Sequence, residues 1–200
     1  MAEVRRATRA DRSALAPMLA RAFHDDPVIS WVTPDDRARP ARASKMFGLH
    51  LDRLLPFGEV YVDEQMRAAA LWAPPGEWRW PPFAGMRLLL TAGLRAIPRI
   101  TAGFTTIERA HPKKPHYYLA VLGTDPSAQG QGLGSAVLAP ILQMCDADGV
   151  GAYLESSKEK NIAFYSRHGF KVTRWIDMPG GPRVFLMWRE PRGSGPPSGV

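Results

Sequence analysis

The segment with the most chemistry in it is residues 129–135, Gln129-Gly130-Gln131-Gly132-Leu133-Gly134-Ser135. It joins a stretch that reads as a strand to one that reads as a helix. Its three glycines let the main chain approach a ligand closely. The amides of a helix's first turn lack intrahelical partners, and the helix dipole there favours negative charge. A diphosphate suits such a turn. A tight turn with no ligand uses the same residues, so the segment alone leaves both readings open.

Two other phosphate motifs are excluded by spacing. A Walker loop ends in Gly-Lys-Ser/Thr, whereas Gly134 is followed directly by Ser135. A dinucleotide fingerprint needs a third glycine where Ser135 stands.

Three further residue types bear on chemistry. Tyr165 carries a phenol that is protonated at neutral pH and can donate to a departing anion. The same Phe164-Tyr165 pair also suits core packing. Glu155 lies near the end of a strand, and a carboxylate is a weak base unless desolvated. It equally suits substrate contact or pairing with an arginine. His116 and Glu108 compete with it as bases. Cys145, the single cysteine, has no internal partner and reads as a small core residue.

The spacing Gln-x-x-Gly-x-Gly after a strand ending in Asp125-Pro126 resembles the acetyl-CoA signature of the GNAT acyltransferase superfamily. The likeness continues through Leu154-Glu155, Asn161 and the run Phe164-Tyr165-Ser166-Arg167-His168-Gly169-Phe170, which resembles the family's Tyr-x-x-x-Gly-Phe. Within the superfamily, His111-Pro112-Lys113-Lys114-Pro115, the glycine segment and Leu154-Glu155-Ser156-Ser157 are similar to the puromycin N-acetyltransferase group. So are Arg6-Ala7-Thr8-Arg9-Ala10-Asp11, Ala22-Phe23 and Ala70-Leu71-Trp72. The likeness runs to about residue 190 and is weaker over 77–108.

That resemblance implies an α/β (α+β) GNAT acyltransferase fold: a central mixed, mostly antiparallel sheet, splayed at the cofactor site and flanked by helices. It implies acetyl-CoA as co-substrate, no metal, and direct transfer to an amine through a tetrahedral intermediate. The amides of Gly130, Gln131, Gly132, Leu133, Gly134 and Ser135, with Gln129 ahead of them, are then the cofactor's phosphate cradle. Leu122-Gly123-Thr124 pairs with the pantetheine arm, Leu122 offering an amide to the thioester carbonyl. Tyr165 stands at the leaving sulfur and Glu155 acts as base, often through water. Asn161 caps the short helix before Tyr165. It stands three residues nearer that tyrosine than in many members, which leaves its cofactor contact open.

The acceptor site in this family is built by N-terminal helices and insertions. Phe23, Asp26, Trp31 and Trp72, with Trp78, Trp80 and His116, are the candidates for an aromatic pocket with an acidic group. Such a pocket suits an amine on an aromatic or hydrophobic small molecule, an aminonucleoside or antibiotic for example. The same aromatics suit a core. A protein or peptide N-acetyltransferase and a non-catalytic acetyl-CoA sensor are the alternatives.

These residues need elements to hold them. A strand is expected over 4–7, and a helix after Asp11 as N-cap, with Leu15, Met18, Leu19, Ala22 and Phe23 at helical spacing. Asp25-Asp26-Pro27 stops it. A helix follows over about 40–55, stopped by Gly58. Strands 59–62 and 68–73 form a hairpin. Residues 77–115, rich in Trp, Pro and Arg, read as a helical insertion with helical patterns over 83–95 and 99–109. Strand 116–124 precedes the glycine turn, and a helix over 132–148 ends at Gly149. Strand 152–156, a short helix over 161–168, and strands 170–176 and 184–189 complete one domain over 1–190. Residues 191–200 read as a disordered tail.

Composition is consistent with this. Of 200 residues, 45% are hydrophobic and 22% charged, a globular balance. The net charge of +7 favours anionic partners, a phosphorylated cofactor among them. The basic residues are scattered, which argues against nucleic acid. No apolar run is long enough to span a bilayer, and no secretory signal is visible. A cytoplasmic monomer or homodimer is expected.

Overall fold

The structure is a computed structural model that describes residues 2–193. Strand β1 (Val4–Arg6) leads into helix α1 (Arg12–Ala22). Asp11 stands at the expected N-cap position of α1, but its side chain makes no cap bond there. Its carboxylate instead closes the preceding turn, accepting from the Thr8 amide at 2.7 Å and from the two terminal guanidinium nitrogens of Arg5. That is a capping-box arrangement with Thr8 at the cap.

Asp26-Pro27 does more than stop α1. Asp26 accepts from the amides of Val28 and Ile29, and Pro27 occupies the first turn of helix α2 (Pro27–Val32). An Asp cap followed by Pro is a helix start as much as a stop. Helix α3 (Arg39–Leu54) follows, and Gly58 ends its last turn at φ 76°.

Strands β2 (Val60–Asp63) and β3 (Ala68–Ala73) form the expected hairpin. Next come helices α4 (Pro82–Leu90) and α5 (Ile97–Ala110), then strand β4 (His116–Thr124). Helix α6 (Leu133–Asp148) starts at the glycine turn and ends on left-handed Gly149. Strand β5 (Gly151–Ser156), helix α7 (Ile162–Arg167) and strands β6 (Lys171–Asp177) and β7 (Arg183–Arg189) complete the chain. Of the expected tail, residues 194–200 lie outside the described residues. The Arg192 amide is tied to Asp146 at 2.6 Å.

The seven strands make one mixed, mostly antiparallel sheet in the order β1-β2-β3-β4-β5-β7-β6. β4 and β5 are its only parallel neighbours among the described residues. One face packs α6 and α7 against Trp72, Tyr117, Leu119 and Leu154. The other packs α1 and α3 against Leu71 and Val121, and α2 and α5 against Tyr153 and Leu186. Leu15, Leu19, Leu51 and Leu71 are wholly buried, each contributing roughly 1.5–3 kcal/mol. No helix among the described residues is long and apolar enough to cross a membrane.

Candidate active site

β4 and β5 pair in parallel register only from His116↔Gly151 to Leu119↔Leu154. Beyond that point β4 continues beside β3, and β5 beside β7, so the two strands part. The fork coincides with an irregularity in β4. Leu71 faces Val121 while Trp72 faces Leu119, which leaves Ala120 as an extra residue. Such a bulge reverses which face the following side chains take. Tyr117 and Leu119 pack toward α6, but past the bulge Val121 joins the core under α1 and α3. Gly123 faces that side too. A Cβ there would stand 2.7 Å from Leu19 and 3.1 Å from Phe23, so glycine is what lets α1 lie this close.

The fork opens a cleft of about 540 Å³. Leu122, Gly123 and Thr124 line it from β4, and Glu155 from β5. Gln129, Gly130, Gly132, Leu133, Gly134 and Ser135 line it from the turn, Asn161 and Tyr165 from the α7 region, and Phe23 and Asp26 from the α1–α2 connection. Gln131 alone of the glycine segment stands outside the lining, its side chain exposed.

Gly130 and Gly132 adopt φ of 77° and 78°, a conformation that side-chain-bearing residues rarely take, and the space where a Cβ would project is open. The Ala136 amide makes the first helical bond, to Gly132 O at 3.1 Å. The amides of Leu133, Gly134 and Ser135 ahead of it have no intrahelical acceptor. A diphosphate fits this arrangement: unobstructed main chain, free donors and the positive end of a 16-residue helix. The Ser135 hydroxyl is already engaged with His168 Nε2 at 2.9 Å, so its amide is the group left to offer. Lys160 and Arg167 add cations to the same cleft, a contribution not anticipated from sequence.

Tyr165 is buried on α7, between Phe164 and Phe170. Burial, and then the charge of Asp26, holds its phenol above the ordinary range. Asn161 precedes α7, but its side chain makes no cap bond, which corrects the expected cap.

Glu155 is the first β5 residue past the last β4–β5 pair, which sets it in the fork. Strand alternation puts it on the same face as Tyr153. Its Oε2 accepts the Tyr118 hydroxyl at 2.6 Å, and its Oε1 lies 3.5 Å from His111 Nδ1. His111 in turn meets His116 at 3.0 Å between their Nε2 atoms, and Trp78 stacks on the His111 ring at 3.7 Å. Burial first, then the charge of Glu155, pushes the phenols of Tyr118 and Tyr153 up.

Other acceptor-side candidates stand elsewhere. Trp72 is wholly buried beneath α6, on the far face of the sheet. Trp31 donates its indole N–H to Gly180 O at 2.9 Å and packs against Gly103 and Gly181, pinning α2 to α5 and the β6–β7 turn. His116 is buried behind His111 rather than in the cleft lining. Trp80 leans on His50 of α3, and Glu108 is exposed on α5. In their place the structure brings His111, Tyr118, Ser157 and Lys158 to the site. The period-two spacing of Tyr118 from His116, and of Glu155 from Tyr153, was the available signal. The Ser157 hydroxyl donates to Asp26 at 2.6 Å, and Lys158 reaches Asp25 at 2.6 Å, so two contacts join β5's end to the α1–α2 connection. Among the described residues no group of three or more His, Cys, Asp or Glu side chains is arranged for a metal ion.

Comparison with known proteins agrees with this geometry. The model of the Acetyltransferase (GNAT) family matches residues 58–170. The chain is 26% identical over 198 residues to an uncharacterised N-acetyltransferase of Schizosaccharomyces pombe, covering 90% of this chain and 80% of that one. A solved structure from Corynebacterium glutamicum, described as histone acetyltransferase HPA2 and related acetyltransferase, is 26% identical with a TM-score of 0.73, covering 98% of this chain and 99% of that one. A Drosophila melanogaster polyamine N-acetyltransferase shares the fold, at 16% identity and a TM-score of 0.53, covering 95% of this chain and all of that one.

Proposed function

Because the chain belongs to the Acetyltransferase (GNAT) family and is an acyltransferase, we propose that it moves an acetyl group from acetyl-CoA to a primary amine of a small molecule. Acetyl-CoA supplies the activated acetyl thioester. The chain's residues do the rest. The amides of residues 130–135 grip the diphosphate, and Leu122-Gly123-Thr124 offers the β4 edge that faces no other strand to the pantetheine amides. Glu155 takes the amine's proton. Tyr165 keeps its own proton at neutral pH, because burial raises its phenol, and donates a hydrogen bond to the departing sulfur.

The observation that carries this reading is the fork itself, with free amides on one side and a half-buried carboxylate on the other. A small acceptor is favoured by the two contacts at the rim, Ser157 to Asp26 and Lys158 to Asp25, which narrow the cleft beside Phe23. The likeness to the puromycin N-acetyltransferase group puts aminonucleosides first among acceptors to try. The Drosophila relative acts on polyamines by its name, and the Corynebacterium relative on histone by its own, so polyamines and peptides belong in the same panel. The test is thiol release from acetyl-CoA against aminonucleosides, amine antibiotics, polyamines and peptides. Turnover of a small amine supports the proposal. Turnover of peptides alone replaces it with a protein acetyltransferase.

A further inference from the structure

Behind Glu155 lies a buried row of groups that the proposed chemistry leaves unused. His111 Nδ1 is 3.5 Å from Glu155 Oε1, His111 Nε2 is 3.0 Å from His116 Nε2, and His116 Nδ1 is 2.7 Å from Lys114 O. A carbonyl only accepts, so His116 Nδ1 carries a proton. Burial holds His116 below the ordinary histidine range, so it is neutral and its Nε2 is a bare acceptor. His111 Nε2 must therefore donate to it. Where that is the only proton on the His111 ring, its Nδ1 is bare and faces, at 3.5 Å, a Glu155 Oε1 that is buried without a hydrogen-bond partner. Two acceptors face each other across a gap that one proton would close.

We infer that this facing pair, Glu155 Oε1 and His111 Nδ1, stores the proton that leaves the acceptor amine, with His111 as the positioning residue that holds it there. The inference rests on the reading of Glu155 as the amine's base. An N–H bond of the ammonium breaks and leaves its electron pair on nitrogen, while an O–H bond forms on Glu155. A half-turn about Cγ–Cδ exchanges the two carboxyl oxygens and carries that proton from the cleft to the imidazole. The pair gains the unit of charge that the substrate loses. Tyr118 and Tyr153 also face this point, but their phenols are pushed up and keep their own protons. Trp78, stacked on His111 with the Arg79 guanidinium 4.9 Å from its ring, keeps the imidazole plane fixed. Arg79 is the nearby positive charge, and Glu155 the negative one that offsets it.

Two measurements on the full chain test this. Nitrogen-15 NMR of the histidine-labelled protein at neutral pH, without acceptor, should show His116 protonated at Nδ1 and His111 at Nε2 only. A proton on His111 Nδ1 in that state overturns the inference. In acetyl transfer to an accepted amine, His111→Phe should lower kcat about tenfold, the worth of one hydrogen bond to a protonated group. It should leave KM for acetyl-CoA unchanged. It should also move the acid limb of kcat/KM to lower pH, since the protonated carboxyl loses its acceptor. His111→Asn, whose amide oxygen stands near the Nδ1 position, should restore the limb. A folded His111→Phe with unaltered kcat and limb overturns the inference. If Glu155→Gln also turns over normally, the base assignment has failed. If Glu155→Gln is slow, only the role of His111 has.

Discussion

The two walls of the cleft are made differently. The wall at the start of α6 is main chain: glycines at positive φ and the free amides of one helical turn, all within seven consecutive residues. The opposite wall is side chain. Phe23 and Asp26, His111, Tyr118 and Glu155 come from four separate stretches and meet only because the sheet order sets β4 beside β5 and α5 above them. On the proposed reading, the main-chain wall recognises what every reaction of this kind shares, the diphosphate. A side-chain wall can be rebuilt residue by residue to suit an acceptor.

The sharpest break between the walls should come from Gly132→Glu. It forces a side chain into a left-handed position and sets a carboxylate in the cradle, so acetyl-CoA affinity should fall about a thousandfold, read by calorimetry. Unaltered affinity would remove the cradle. Glu155→Gln acts on the other wall: kcat should drop about a hundredfold with acetyl-CoA affinity retained, in line with loss of a general base. A matching loss of affinity would mean that the walls are not separable. Gly123→Ala tests which wall that glycine serves. Its Cβ would collide with Leu19, and such overpacking costs about 1–3 kcal/mol in denaturant unfolding. If stability holds and only acetyl-CoA binding suffers, Gly123 belongs to the cofactor instead. Tyr165→Phe should slow turnover about tenfold, one hydrogen bond's worth in the transition state, with affinity unchanged. The smallest effect is expected from Ser157→Ala, which removes the bond to Asp26, worth about 1 kcal/mol. It should alter KM for the amine a few-fold and leave KM for acetyl-CoA alone.

The same contrast explains what could be read from the chain. The glycine segment, the strand 116–124 and the run around Tyr165 were legible because their signals are local: turn glycines, strand alternation, a helix stop at Gly169. The side-chain wall was half legible. Glu155, Phe23 and Asp26 do line the cleft, whereas Trp31 and Trp72 went to packing. An aromatic residue's type does not say which face of a strand or helix it takes once a bulge or a buried helix intervenes. His111 enters the sequence reading only within the run 111–115 and not as a site residue, because it belongs to no strand or helix. It sits at the end of α5, and only the fold brings it 44 residues back onto Glu155. Helix α2 was missed for a different reason. Asp26-Pro27 reads as a terminator from sequence, and the same pair also initiates.

Ala120 touches none of the proposed chemistry, yet its presence governs how members of this fold should be aligned. Ala120 and Val121 lie on the same face, so deleting Ala120 would close the bulge, join Leu119 directly to Val121, and leave Val121 and Gly123 facing α1 as they do now. A single-codon deletion here would therefore remove the local bend and extra twist of β4 while keeping its pairs with β3. A relative whose strand is one residue shorter than the nine from His116 to Thr124 should be aligned with its gap at Ala120, where the β3 pairs on either side stay in register.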